Sequence, residues 1–259
     1  MKLLFIGDIV GKSGRKAVRE LLPLLADTYS PDIVIANGEN AANGFGITVK
    51  IAQELFDFGI GVLTSGNHIW DKKDVLEFIQ KESRLIRPAN YPVSAPGRGA
   101  TVVLTGGGHK IAVLNLSGRI FMDPLDCPFM AAERELEALK RETNLIVVDF
   151  HGEATSEKIA AGWELDGKVT AVLGTHTHVQ TADERILPGG TAYISDVGMT
   201  GSFDSVIGME KDISIERFKT QMPIRYRVAK DDLGLNGVLV DADEATGKAT
   251  NIKRVQIRI

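Results

Sequence analysis

Residues 170–178 read TAVLGTHTH, an apolar run that stops at a glycine and passes directly into two histidines. A continuous apolar run of this length is typical of a strand that is buried on both faces of a sheet. Six similar runs occur in the first 200 residues: Leu3–Ile6, Ile33–Ala36, Gly61–Thr64, Ile111–Leu116, Leu145–Phe150 and Ala192–Ile194. Together these runs predict a sheet whose strands are largely buried.

Helix-like segments separate the runs. In Thr48–Phe58, the apolar residues Val49, Ala52, Leu55 and Phe56 recur at the spacing of one helix face. Comparable segments span Gly14–Asp27, Asp71–Lys81, Ala131–Glu142 and Thr155–Leu165. The alternation of strands with helices predicts an α/β protein with helices on both sides of the sheet.

The C-terminal part has a different pattern. Asn251–Ile259 alternates apolar with polar residues, which predicts a strand with one exposed face. We interpret Pro223–Val228 and Gly237–Val240 as further strands of an antiparallel closing sheet or sheet edge. Because no internal repeat and no Pro/Ser-rich linker interrupts the chain, we expect a single domain over residues 1–259.

Composition and charge limit the classes of protein. The 259 residues are 44% apolar and 25% charged, which excludes a disordered chain, a coiled coil and a disulfide scaffold. The 30 basic and 34 acidic residues give a net charge of −4, which argues against stable DNA binding and against membrane-surface binding. Cys127 is the only cysteine, and no apolar run approaches the ~20 residues of a membrane span. We therefore expect a reduced, cytoplasmic protein.

Polar residues that can bind a metal follow five of the predicted strands. They lie in Gly7-Asp8, Asn37-Gly38-Glu39-Asn40, Ser65-Gly66-Asn67-His68, His151 and Gly174-Thr175-His176-Thr177-His178. Four of the five histidines are among them, and only His109 lies elsewhere. Ligands of α/β sheets bind beyond the carboxyl ends of the strands. Any one of these residues alone would indicate a helix cap or a polar loop, but five such strand ends predict a shared metal centre.

The donor atoms in this set are oxygen and nitrogen, without thiolate. This mixture suits iron, manganese or zinc and argues against a cysteine-type structural zinc site. The seven candidate ligands exceed the three protein ligands of a catalytic zinc. We therefore expect two divalent or trivalent transition metal ions, about 3.5–4 Å apart and bridged by a carboxylate.

The same motifs, in the same order, resemble the calcineurin-like metallophosphoesterase superfamily. Longer segments resemble the bacterial YmdB family of cyclic-nucleotide phosphodiesterases: GDIVGKSGR, NGENAANGFGIT, SGNHIWDKK, RPANYP, DFHGEATSEK, GTHTHVQTAD and YISDVGMTG. The resemblance runs from residue 3 to about residue 225. It implies the metallophosphoesterase fold, in which two packed mixed β-sheets are flanked by helices.

The chain departs from the general superfamily pattern at three places that the YmdB family shares. Val10 stands where the superfamily has a histidine, Glu39 where it has a bridging aspartate, and Ile69 where it has an acid. The resemblance implies that one metal is held by Asp8, Glu39, Asn40 and His178. It implies that the other metal is held by Glu39, Asn67, His151 and His176. The alternative for Asn40 is that its side chain only hydrogen-bonds the phosphate.

His68 directly follows Asn67, so the two side chains should point to different sides of the loop. A histidine that is free of metal can protonate a leaving alkoxide near neutral pH. The alternative is that His68 is a third nitrogen ligand of the second metal. Asp71 either orients His68 or caps the helix that follows, and the cap is the preferred interpretation. Asp196 ends another strand and is a candidate for the pocket lining.

The resemblance also implies an activity. It indicates a dimetal phosphodiesterase whose substrate is a cyclic nucleotide, a 2′,3′-cyclic nucleotide first of all, with a role in global regulation. In this interpretation a metal-bridging hydroxide attacks phosphorus and His68 protonates the departing ribose oxygen. The alternatives are a metal-dependent nuclease or phosphomonoesterase on the same centre, and a non-catalytic nucleotide-binding regulator. The metal, the base preference and the oligomeric state, a homo-oligomer included, stay open.

Overall fold

Successive residues of the first strand point into two different hydrophobic clusters. Leu3 and Phe5 join one cluster, and Leu4 and Ile6 join another, and all four are fully buried. Side chains of a strand alternate between its faces, so both faces of this strand are covered. This is the physical reason for the unbroken apolar runs of the sequence.

The computed structural model describes all 259 residues. It contains thirteen strands and six helices, which occur along the chain as follows: β1 (Lys2–Ile6), β2 (Asp8–Ile9), α1 (Gly11–Tyr29), β3 (Ile33–Asn37), α2 (Val49–Asp57), β4 (Val62–Thr64), α3 (Val75–Lys81), β5 (Ala100–Leu104), β6 (Lys110–Ser117), α4 (Pro128–Glu142), β7 (Ile146–His151), α5 (Thr155–Leu165), β8 (Ala171–Thr175), β9 (Arg185–Ile186), β10 (Ala192–Ile194), β11 (Met199–Ser202), α6 (Lys211–Thr220), β12 (Leu233–Ala242) and β13 (Ala249–Arg258).

The strands form two mixed sheets. The first has the order β2-β11-β12-β1-β3-β4, with β13 paired to β12, and the second has the order β5-β6-β7-β8-β10-β9. In the first sheet β1, β3 and β4 are parallel, and in the second sheet β6, β7, β8 and β10 are parallel. The other pairings are antiparallel, apart from the short parallel pair of β2 with β11.

Three hydrophobic clusters define the layers. The middle cluster joins residues of β1, β3 and β12 to residues of β6, β7 and β8, so the two sheets pack against each other. A second cluster packs α1, α2 and α3 on the outer face of the first sheet. The third packs α4 and α5 on the outer face of the second sheet. The predicted α/β class with two packed mixed sheets and flanking helices is confirmed.

Several local predictions differ from the structure. The five predicted helices are present, but α3 begins at Val75 rather than at Asp71. Pro223–Val228 forms no strand, and only Val228 makes an isolated bridge, to Met209. The segment around Gly237–Val240 belongs to β12, which pairs with β1 on one side and with β13 on the other. It is therefore an interior strand, and its antiparallel pairings agree with the closing-sheet alternative and not with the edge alternative.

The sequence analysis did not anticipate α6. Only Ser214 of this helix is buried, so its sequence has no apolar face of the kind that periodicity detects. No helix of the structure combines the length and the apolarity that crossing a bilayer requires.

Candidate metal centre

The carboxyl ends of strands from both sheets deliver the predicted ligands to one edge of the molecule. Asp8 opens β2 directly after β1, Glu39 and Asn40 follow β3, and Asn67 follows β4. The second sheet supplies the three histidines, because His151 ends β7 and His176 and His178 follow β8. The structure brings all seven predicted ligands together, whereas His109 lies far from them in an exposed turn beside Glu244.

One group of ligands surrounds the Nε2 atom of His151. This nitrogen lies 3.0 Å from Glu39 Oε1, 3.2 Å from Asn67 Oδ1 and 2.9 Å from His176 Nδ1. A ring nitrogen carries at most one hydrogen, so it cannot donate to all three neighbours at once. The ligand atoms of Glu39, His151 and His176 all lie within 4.8 Å of one another. Four potential ligand atoms, the His151 nitrogen and its three neighbours, therefore converge on one place. This arrangement suits the coordination of a metal ion better than a set of hydrogen bonds.

A second group of candidate ligands surrounds the Nε2 atom of His178. His178 Nε2 is 3.1 Å from Asn40 Nδ2 and 3.8 Å from Asp8 Oδ1. The Asn40 amide also lies 3.2 Å from Glu39 Oε1, which links the two groups. An amide turned by 180° about its last bond would place Oδ1, a metal-binding atom, at the position of Nδ2.

Asp8 provides the clearest sign that this second group fits a cation. Its Oδ2 accepts a hydrogen bond from the backbone N–H of His176, but its buried Oδ1 has no hydrogen-bond partner. An unpaired buried carboxylate oxygen is strongly unfavourable unless a cation or a donor reaches it. Iron, manganese and zinc all accept the carboxylate, carboxamide and imidazole donors present here.

The electrostatics of the site also favour a positive charge. Asp8 and Glu39 are fully buried, and histidines are their only ion-pair partners. Burial raises the pKa of Asp8; it would also raise that of Glu39, but His151 lowers the pKa of Glu39 to about 2. Burial alone would lower the pKa of His151, yet the surrounding carboxylates, Glu39 first, raise it to about 9. A bound metal cation would supply the charge that a proton on His151 otherwise provides.

A buried relay fixes the orientation of His151. The Thr175 hydroxyl donates to Asp149 Oδ1 at 2.6 Å, so it can only accept from His151 Nδ1, which lies 2.9 Å away. One ring proton is therefore on Nδ1, so Nε2 is the nitrogen that would bind a metal ion, in place of its own proton. Hydrogen-bond partners of this kind orient metal-binding histidines and raise the affinity of the site for its metal. Asp149 also accepts from Asn37 and Thr64, and burial raises its pKa to about 6.

The sequence analysis missed this relay. Asp149 lies within an apolar run, and an acid in the middle of a buried strand is itself a signal of a buried polar network. Glu153 was missed as well, and its carboxylate lies 3.3 Å from His176 Nε2, opposite the Nδ1 atom that faces His151. No spacing rule connects Glu153 to the site, because it reaches His176 through a loop.

The loop that carries His176 and His178 is held in a strained conformation. These residues have φ angles of 102° and 67°, in the left-handed region that side chains with a Cβ avoid. Asp196 holds the residue between them, because its Oδ2 accepts from both the backbone N–H and the hydroxyl of Thr177. Lys158, itself buried, pairs with the same carboxylate at 2.6 Å. Asp196 therefore lies beneath the loop and does not line the pocket.

His68 lies beside the centre but outside both ligand groups. Its backbone N–H donates to Glu39 Oε2 at 3.2 Å, whereas its ring Nδ1 lies 3.0 Å from Asp71 Oδ2. Asp71 thus faces His68 and does not cap α3, so the preferred cap interpretation was wrong. The helix begins only at Val75, because the residues between form turns.

A pocket of about 300 Å³ opens next to the centre. One wall is polar and consists of Glu39, Asn40, His68, Glu153, His176, Thr177 and His178. The apolar part of the lining is supplied by Phe45 and by the segment between β11 and β12. The volume is at the lower end of the range of small-molecule sites, about 300–1,000 Å³.

A family model described as YmdB-like protein matches residues 4–255. The chain belongs to the YmdB-like family. A YmdB-like relative from Bacillus subtilis strain 168, named 2′,3′-cyclic-nucleotide 2′-phosphodiesterase, is 51% identical over 257 residues. The match covers 99% of this chain and 97% of the relative.

Two solved structures have the same fold as this YmdB-like chain. A hypothetical protein from Thermus thermophilus has a TM-score of 0.93 at 41% identity, and the match covers 100% of this chain and 99% of that one. A structure from Mycoplasma pneumoniae, described as a novel phosphatase, has a TM-score of 0.93 at 38% identity over 100% and 93% of the two chains. These findings confirm the predicted metallophosphoesterase fold class and the YmdB resemblance.

The relay predicts the effect of removing one hydroxyl from the YmdB-like site. Thr175→Val leaves His151 Nδ1 and Asp149 without their shared partner, so we expect Mn²⁺ to bind about 10–100-fold more weakly. Titration calorimetry of the metal-free protein measures this dissociation constant. Thr101→Val, a buried change of the same type on β5, should leave it unchanged. Equal dissociation constants for Thr175→Val and the unmodified protein would contradict the relay.

Proposed function

We propose that the chain is a dimetal phosphodiesterase that hydrolyses cyclic nucleotides, with 2′,3′-cyclic nucleotides as the preferred substrates. The observation that carries the proposal is the position of Glu39. Its Oε1 lies 3.0 Å from His151 in one ligand group and 3.2 Å from Asn40 in the other. A carboxylate between two such groups is suited to bridging two metal ions. The printed activity of the 51% identical relative supports the substrate class.

We assign the first metal to Asp8, Glu39, Asn40 and His178, and the second metal to Glu39, Asn67, His151 and His176. Iron, manganese and zinc suit these oxygen and nitrogen donors. When bound, the two ions supply Lewis-acid stabilisation of the phosphoryl oxygens and an activated water as the nucleophile. These residues would hold the two ions next to the pocket, because Glu39, Asn40, His176 and His178 also belong to its lining.

We assign His68 the role of general acid. Its Nδ1 is engaged by Asp71 at 3.0 Å, so Nε2 is the atom that carries a transferable proton. Phe45 packs edge-on against the ring, with the ring centroids 5.1 Å apart, which limits the orientations of His68. A histidine held in this way can protonate the departing ribose oxygen as the phosphodiester opens to a monoester.

Two further expectations belong to the proposal. The hydrophobic cluster shared by both sheets supports a single domain over residues 1–259, because neither sheet covers its inner face alone. The single cysteine, Cys127, can form no intramolecular disulfide, which supports a reducing, cytoplasmic location.

The substrate assignment predicts an order of reactivity. With Mn²⁺ bound, we expect kcat/KM for 2′,3′-cyclic AMP to exceed that for an adenosine monophosphate, because the second substrate has no diester bond to open. Steady-state kinetics with both substrates on one preparation measures the ratio. A faster monoester would favour a phosphomonoesterase. Tight binding of the cyclic nucleotide without turnover would favour a non-catalytic regulator.

The acid assignment predicts a substrate-dependent loss. His68→Ala should retain its metal and hydrolyse 2′,3′-cyclic AMP about 10²–10⁴-fold more slowly, because the ribose oxygen leaves only with a proton. A nitrophenyl phosphodiester has an acidic leaving group and should be affected much less. The ratio of the two losses is measured together with metal content on the same sample. Equal losses combined with a missing metal ion would instead identify His68 as a ligand.

A further inference from the structure

The apolar wall of the pocket comes mainly from one segment, residues 203–232 between β11 and β12. Ile207, Met209, Phe218 and Tyr226 of this segment line the same pocket as the metal-binding side chains, and the Ile207 carbonyl oxygen lies 2.9 Å from His178 Nδ1. The pocket thus places an apolar surface next to a site for a phosphoryl group. A nucleotide has the same division, because an apolar base face is joined to its charged phosphate through a sugar.

The segment contributes little to the hydrophobic core. Within α6 only Ser214 is buried, and no residue of the helix belongs to any of the three clusters. Phe218 is 67% exposed although it lines the pocket, and Ile207 is 51% exposed with a φ of 46°. Packing of the protein does not account for these side chains, which are exposed towards the space beside the metal centre.

Tyr226 is fixed in place from within the same segment. The guanidinium of Arg217 lies 4.4 Å from the centroid of the Tyr226 ring, at the distance of a cation–π contact. Arg217 also donates a hydrogen bond to the Ile224 carbonyl oxygen at 3.1 Å, which ties α6 to the extended stretch that follows. A ring held in this way is a preformed surface for stacking.

Two hydroxyl groups in the lining of the pocket are already engaged in hydrogen bonds. The Ser214 hydroxyl donates to the Glu210 carbonyl oxygen, and the Thr177 hydroxyl donates to Asp196. These two hydroxyls are therefore not free to donate to the edge of a base. Aromatic surfaces accept the π-face of every base, and each stacked base contributes about 1–3 kcal/mol.

We propose that Phe218 and Tyr226 form a stacking platform for the nucleobase, which makes the enzyme specific for nucleosides but tolerant of the base. This inference rests on the proposed function and deepens it. The platform selects nucleoside phosphodiesters over diesters that lack a base. It ranks purines above pyrimidines only through their larger stacking surface.

The test compares one substrate that has a base with one that lacks it. For Phe218→Ala we expect kcat/KM for 2′,3′-cyclic AMP to fall about 5–150-fold, which is the stacking free energy expressed as a ratio. Hydrolysis of glycerol 1,2-cyclic phosphate, which carries the cyclic diester alone, should be unchanged. Phe218→Tyr keeps an aromatic face and should retain activity towards both substrates. Thermal unfolding of each variant verifies the fold.

The matched control is Ile215→Ala, which removes an apolar side chain that is 45% exposed on the same helix but does not line the pocket. It should hydrolyse both substrates like the unmodified protein. For the unmodified protein, the cyclic nucleotides of all four bases should have kcat/KM values within about 30-fold of one another, because stacking free energies span about 1–3 kcal/mol per base. Three results would overturn the platform but leave the proposed phosphodiesterase activity intact. They are equal losses of activity of Phe218→Ala on both substrates, no loss on either substrate, or a strong preference of the unmodified protein for one base. No turnover of any cyclic nucleotide by the unmodified protein would overturn both.

Discussion

The contact between Glu39 and His151 joins the two sheets at the point where the chemistry is expected. Glu39 follows a strand of the first sheet, His151 ends a strand of the second, and their side-chain atoms meet at 3.0 Å with no exposed surface at His151. Burying two such groups is favourable only when each is compensated by partners. The relay through Thr175 to Asp149 compensates His151, and the backbone N–H of His68 compensates Glu39. The packing of the sheets therefore brings together the ligands within each group, because each group contains residues from both sheets.

The loop after β8 shows how the fold stabilises an unfavourable conformation for function. His176 and His178 both have positive φ angles, and each such residue costs about 1–3 kcal/mol. The buried pair of Asp196 and Lys158 holds the loop from beneath, without contacting the pocket. A polar group beneath the loop thus fixes the geometry of two predicted ligands. This arrangement explains why a residue outside the pocket is needed to shape it.

The sequence predicted the candidate metal ligands better than it predicted the residues that hold those ligands in place. Asp8, Glu39 and the histidines follow buried apolar strands, and the carboxyl ends of parallel strands share an edge, so local pattern was enough to bring them together. Asp196 and Asp149 stand out in the sequence as an acid at a strand end and an acid inside a buried strand, but their partners Thr177 and Thr175 lie elsewhere in the chain, so no local pattern names them. Helix α6 was missed for a related reason, because it buries no apolar residue in the core and turns Phe218 towards the pocket. The sequence left open whether β12 lies inside an antiparallel sheet or at its edge, because its burial depends on β13 and β1, which pair with it from opposite sides.

The central claim is that Glu39 lies between two metal sites. Anomalous diffraction from crystals grown with Mn²⁺ tests it most directly, because the signal locates each ion independently of the chemistry. The account predicts two peaks about 3.5–4 Å apart, both adjoining Glu39, one beside Asp8 and His178 and the other beside His151 and His176. A single peak under saturating Mn²⁺, or two peaks of which only one adjoins Glu39, would contradict it.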